Sequence, residues 1–166
     1  MESKQRVGIG FDAHTLVRGK RLVLGGTGIP FDSGLSGWSD ADVLTHAIMD
    51  AMLGAAALGD IGVHFPSGDP QYKGISSLIL LERVKNKLAE NGWRVNNIDA
   101  TIVAEKPKLR DYIDEMHRQL SRTLGIDIGQ VSVKASTSDG LGFTGRGEGI
   151  AAYAIASIEA ITGGVG

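Results

Sequence analysis

Cysteine is absent from the 166 residues. Its absence excludes disulfides, thiolate zinc sites, iron–sulfur clusters and cysteine nucleophiles, so any metal must be held by His, Asp or Glu. Aromatic residues are scarce, at 5%, so the expected core is aliphatic and alanine-based. There is no basic surplus: the net charge is −2, which argues against nucleic acid as the main partner. No apolar run is long enough for a transmembrane span, and MESKQRVGIGFD at the start is not a secretory signal, so the expectation is a cytoplasmic protein without a membrane partner. No repeat, low-complexity tract or linker divides the chain, and a single domain over residues 1–166 is expected. Glycine, by contrast, is plentiful at 24 residues, about twice the usual share of roughly 7%.

The elements alternate. Val7, Ile9 and Phe11 alternate with small residues and predict a strand, and Arg21–Leu24 predicts a second. Ser39-Asp40-Ala41-Asp42 predicts a helix start, with Ser39 as cap and the acids at the positive end of the helix dipole. Leu44, Ala47, Ile48, Ala51, Met52 and Ala55 then recur at helical spacing, while Asp42, His46 and Asp50 share another face. Helices are also expected from about Ile75 to Asn91 and from Leu109 to Leu124, the latter stopped by Gly125. Ile98–Ala104 alternates as a strand, and Val131 and Val133 open another. The tail from Ile150 to Ile161 fits helix by its alanines and strand by its alternation. This order implies an α/β or α+β fold.

Asp12-Ala13-His14 is the sharpest chemical cluster. On a continuing strand Asp12 and His14 project from one face, and His46 offers a third ligand. Asp-His-His with an open fourth position is the catalytic type of zinc site, with Asp42 and Asp50 as candidates to orient the His46 ring. The alternative reading of these histidines is ordinary polar residues near element ends. His117 reads as solvated. Ser136-Thr137-Ser138-Asp139 follows a strand end and suits phosphate oxygens, with Asp139 suited to Mg²⁺ or Mn²⁺; a plain Ser/Thr turn is the alternative. The glycine-rich stretch from Gly142 to Gly149 implies close backbone approach to a ligand or another chain, and Arg146 within it is either an anion clamp or the ion-pair partner of Glu148. Asp60 beside a glycine turn suits ribose hydroxyls. Pro107 ends a strand and frees backbone groups that can read a base edge.

In order, GFDAH from Gly10, SDADVLTHAIMDAMLGAAALGDIG from Ser39, HFP from His64, DP from Asp69, KPKL from Lys106 and GFTGRGEGIA from Gly142 resemble the 2-C-methyl-D-erythritol 2,4-cyclodiphosphate synthase family. The resemblance spans Gly10 to Ala151. It implies a single α/β (α+β) domain with a mixed sheet covered by helices, with sheets packed around a threefold axis in a homotrimer and active sites between subunits. It makes the last segment a strand. It implies conversion of 4-diphosphocytidyl-2-C-methyl-D-erythritol 2-phosphate to the cyclic diphosphate and CMP, a phosphorus–oxygen lyase reaction.

By motif position, Asp12, His14 and His46 would hold Zn²⁺, and Asp139 a second ion, Mg²⁺ or Mn²⁺. Trp38 and Ser39 would meet the substrate phosphates. Asp60, Ile61 and Gly62 would hold sugar hydroxyls, under a loop of Phe65, Pro66, Ser67, Gly68 and Asp69. Ala104, Glu105, Lys106, Pro107, Lys108, Leu109 and Arg110 would embrace the cytosine. Ser136, Thr137 and Ser138 would meet the nucleotide phosphates, with Thr137 and Asp60 as catalytic groups. Phe143 and Arg146 would face the ligand or a central channel that can hold an isoprenoid diphosphate. Three departures from the family pattern stand out: Trp38 where histidine is usual, Ala41 where glycine is common, and Ser136–Asp139 where threonines and a glutamate are common. Ala41, taken as lying within a helix, is expected to be harmless.

Overall fold

The computed structural model describes residues 4–162. Strand β1 (Gln5–Arg18) pairs antiparallel with β7 (Gly149–Ala160), which pairs antiparallel with β5 (Trp93–Val103). β6 (Val131–Ser136) lies parallel to β5, and β4 (Ser33–Leu35) closes the other edge, giving a mixed sheet of order β4-β1-β7-β5-β6. β2 (Leu22–Leu24) and β3 (Thr27–Ile29) form a separate hairpin. Helices α1 (Val43–Ala55), α3 (Ser77–Glu90) and α4 (Ile113–Leu124) belong to the layer over one sheet face, and two short helices, α2 (Ile61–His64) and α5 (Gly142–Gly145), lie in the connections. Among the described residues no helix is long and apolar enough to cross a membrane. The tail is a strand, because its alanines are what let α1 approach β7 closely.

Side-chain alternation sets the two faces of β1. Gly8 and Gly10 face α1, and a Cβ on either would lie 2.1 Å from the Ala51 carbonyl oxygen or 1.8 Å from that of Ala47. The helix therefore rests on bare backbone. Asp12 and His14 continue that face beyond the glycines. The other face carries Val7, Ile9 and Phe11, joined across the strand pair by Tyr153 and Ile155, and all five are exposed.

α1 begins later than its sequence suggests. Asp42, not Ser39, is the cap, and its fully buried carboxylate accepts from Thr45 N, Thr45 Oγ1, Gly25 N and Gly26 N. It thereby joins the β2–β3 turn to the helix. Burial pushes the Asp42 carboxyl up against these donors, which pull it down. Ala41 precedes the helix with φ 57°, so it is not a helical residue; it occupies the left-handed region that disfavours a Cβ. α4 stops at Gly125, which has left-handed φ 66° as the sequence suggests.

Candidate metal centre and active site

Because α1 sits directly on Gly8 and Gly10, His46 is brought against Asp12 and His14. Asp12 Oδ2 lies 2.8 Å from His14 Nε2 and 3.0 Å from His46 Nδ1, and the two ring nitrogens are 3.3 Å apart. The outer nitrogens decide what these contacts mean. His14 Nδ1 lies 2.8 Å from the Ser36 carbonyl oxygen and must donate to it. Ser77 Oγ donates to Asp40 Oδ1, so it accepts from His46 Nε2 at 2.9 Å. Both rings consequently turn a lone pair toward a carboxylate oxygen. Three electron-rich atoms converge there, an arrangement that calls for a cation or an extra proton between them. The donor set of one carboxylate and two imidazoles suits zinc with a fourth position open. These three residues can hold a metal ion.

Without a metal, protons serve that purpose. Burial alone would raise the Asp12 carboxyl, yet hydrogen bonds and charge from His14 and His46 bring it down to about 2. Burial lowers the His14 imidazole, but the hydrogen bond and charge of Asp12 outweigh it and hold it above its usual value.

The residues expected to orient His46 are not the ones that do so. Asp42 is consumed as the helix cap, and Asp50 Oδ1 accepts from Ile61 N at 2.8 Å, fixing the start of α2. Ser77 and Asp40 supply the orientation instead, with Ser39 Oγ 3.1 Å from His46 Nε2. Ser77 lies 31 positions from His46, on another helix, so no spacing signal could have revealed it. His117 is not solvated: its Nε2 accepts from Val133 N at 2.9 Å and terminates that ladder position of the edge strand.

Asp12, His14 and His46 open into a cavity of about 210 Å³. Trp38, Ser39, Ile61, Gly62, Phe65 and Ser67 line it, together with Tyr72 and Leu80, which the sequence did not single out. Asp60 caps α2 at its rim, accepting from Val63 N. Pro66, Gly68 and Asp69 belong to the overlying segment, and Asp69 caps the turn Pro70–Tyr72.

A second cavity, of about 740 Å³, lies at the ends of β5 and β6. Ala104, Glu105, Pro107, Lys108, Leu109 and Arg110 line it with Ser136 and Thr137. Glu105 Oε2 is shielded from solvent without a hydrogen-bond partner among the described residues, and the residue also borders the cavity beside Arg146. Thr137 Oγ1 donates to Asp139 Oδ1 at 3.2 Å, and Asp139 has φ 52°, which turns the loop back on itself. The Ser138 hydroxyl is engaged by Leu141 O and Thr144 Oγ1, both at 2.7 Å, so only its backbone remains for an outside ligand. Lys106 borders a third cavity with Arg146, and Phe143 lies nearby against Gly149. Arg146 Nε pairs with Glu148 Oε1 at 2.6 Å, both exposed, realising the ion-pair alternative.

The YgbB family profile matches residues 5–159. A 2-C-methyl-D-erythritol 2,4-cyclodiphosphate synthase of Dehalococcoides mccartyi is 61% identical over 154 residues, covering 93% of this chain and 98% of the relative. The bifunctional IspDF of Campylobacter jejuni superposes with a TM-score of 0.92 at 38% identity, over 96% of this chain and 43% of that longer one. A 2C-methyl-D-erythritol-2,4-cyclodiphosphate synthase with CDP bound superposes with a TM-score of 0.85 at 31% identity, over 92% of this chain and 99% of that one. An Asp-His-His cluster brought together by a helix seated on bare strand backbone, within a chain matched over nearly its whole length, leads to one assignment: this chain belongs to the YgbB family.

Proposed function

We propose that this chain is a metal-dependent phosphorus–oxygen lyase, a 2-C-methyl-D-erythritol 2,4-cyclodiphosphate synthase of isoprenoid precursor biosynthesis. The substrate is 4-diphosphocytidyl-2-C-methyl-D-erythritol 2-phosphate. A 2-phosphate oxygen forms a bond to the β-phosphorus, the bond from that phosphorus to the bridging oxygen breaks, and CMP leaves with its electron pair. The nucleophile is already an anion near neutral pH, so the site needs no general base. The convergence of His14 and His46 lone pairs on Asp12 is the observation that carries this reading.

Zn²⁺ on Asp12, His14 and His46 would polarise the β-phosphate, and Mg²⁺ or Mn²⁺ near Asp139 would offset leaving-group charge. The remaining work is positioning and electrostatics. Ser39, with the Trp38 backbone, meets the substrate phosphates. Asp60, Ile61 and Gly62 hold the sugar hydroxyls beneath Phe65–Asp69. Thr137, with Ser136 and the Ser138 backbone, donates to the phosphates on the nucleotide side. The CDP bound by the related synthase supports a cytidine pocket at the Ala104–Arg110 cavity.

The metal cavity and the Ala104–Arg110 cavity share no lining residue. Separate half-sites in one chain support sites completed between copies. The apolar face of Val7, Ile9, Phe11, Tyr153 and Ile155, with Val7 73% exposed, supplies a surface to bury. A homotrimer with these sheets around its axis meets both demands, and its channel, bordered by Phe143 and Arg146, suits an isoprenoid diphosphate. The testing experiment is CMP release from this substrate by metal-replete and chelator-stripped protein. Metal-dependent CMP release without free phosphate is expected. Release of free phosphate would instead indicate a phosphoesterase, and no turnover by folded, zinc-loaded protein would overturn the enzymatic reading.

A further inference from the structure

The segment over the metal cavity, residues 65–74, contributes Phe65, Ser67 and Tyr72 to its walls. Its internal order is local. Phe65 and Tyr72 stack edge to face at 5.4 Å, Asp69 caps Gln71 N, and Tyr72 N returns to Asp69 O at 3.1 Å. Its end is fastened by backbone: Gly74 N donates to Trp38 O at 2.8 Å, and Asp40 N donates to Ile75 O at 3.0 Å. Lys73 N and Ile75 N donate to Pro70 O and Tyr72 O, both at 3.3 Å, continuing the turn along the chain. Beyond those adjoining residues, among the described residues, one hydrogen bond ties residues 66–72 to the rest of the chain. The Trp38 indole N–H donates to the Asp69 carbonyl at 2.9 Å. The same ring is 38% exposed, lines the cavity beside Ser39, and carries the Lys73 ammonium 5.8 Å from its centroid.

We propose that Trp38 is a positioning residue, a latch that holds residues 66–72 closed over the metal cavity before ligand arrives. The inference rests on the cyclodiphosphate synthase reading for its substrate, but not for its geometry. A loop that closes only on binding charges its ordering entropy to the ligand; one already fastened does not. Indole suits this task because its N–H projects from a large rigid ring, so one side chain both walls the cavity and spans to the loop. A latch of this kind acts on substrate binding rather than on the bond-forming step.

The test is W38F, which keeps an aromatic wall and removes the N–H. Hydrogen exchange of the amides of residues 66–74 is followed in ligand-free, zinc-loaded protein, beside KM and kcat for CMP release and the zinc content. Exchange should accelerate about 5-fold and KM should rise about 5-fold, the worth of one neutral hydrogen bond. Zinc content should be unchanged and kcat should stay within about 2-fold, well below that hydrogen-bond factor. Unchanged exchange and KM would overturn the latch, as would a fall in kcat at constant KM. A lower melting temperature with exchange and KM unchanged would mark Trp38 as merely structural, and also overturns it. Failure of the wild type to release CMP would count against the synthase reading alone, since the exchange measurement decides the latch without turnover.

Discussion

Gly10→Ala tests the link between fold and site. A Cβ at this position would lie 1.8 Å from the Ala47 carbonyl oxygen and 2.8 Å from Ala51 N. Real Cβ contacts do not fall below 3.0 Å, so helix and strand must separate by at least about 1.2 Å. His46 is the residue before Ala47 and moves with it, whereas Asp12 and His14 remain on the strand. Metal–ligand distances tolerate only about 0.2 Å. We expect zinc affinity to fall by at least about 10–100-fold, the range seen when ligand orientation is lost. Overpacking should also cost about 1–3 kcal/mol, lowering Tm by roughly 2–4 °C per kcal/mol in a chain of this length. Zinc competition titration and thermal unfolding of the metal-free form measure the two effects. Gly129→Ala is the control, because its Cβ would meet nothing within 4 Å. Unchanged Tm and zinc affinity in Gly10→Ala would refute the close-packing argument. A lower Tm with zinc affinity intact would show that the strand yields rather than the helix, and would refute the coupling to the site.

Three further outcomes are expected. Ser77→Ala removes the acceptor that fixes the His46 ring, so zinc affinity measured by competition should drop about 10–100-fold with little change in the fold. Ala57 ends α1 with φ 58°, exposed, in a turn where Leu58 N donates to Leu53 O at 2.9 Å; Ala57→Gly should therefore stabilise the protein by about 0.5–1 kcal/mol in denaturant unfolding. In metal-free protein, Asp12 is lowered to about 2 and His14 is raised. The Asp12 contribution is present above its unfolded value near 3.8 and lost toward pH 2, whereas the His14 contribution is present below 6.5 and lost as pH rises through its folded value. The share of metal-free stability that these two groups supply should then be greatest between about pH 4 and 6.5, and zinc affinity should increase with pH above that window, which zinc titrations across pH and unfolding of metal-free Asp12→Asn beside the wild type will show.

What the sequence determined by itself was local. Period-two alternation marked β1 and β5, helical spacing marked α1, α3 and α4, and Gly125 marked a helix end, because each depends on neighbours along the chain. Asp12, His14 and His46 were legible as ligand types, and the ordered motifs carried the family. The tertiary structure decided what depends on distance in space. Only packing shows that Gly8 and Gly10 are bare so that α1 can lie on β1, that Asp42 is spent as a cap, and that Ser77 rather than Asp42 or Asp50 aims His46. The final strand shows the same division. Its alanines and its alternation were evenly balanced along the chain, and the resemblance alone favoured strand. Pairing with β1 and β5 under a closely seated helix settles it, since small side chains there satisfy a contact that local propensity does not register.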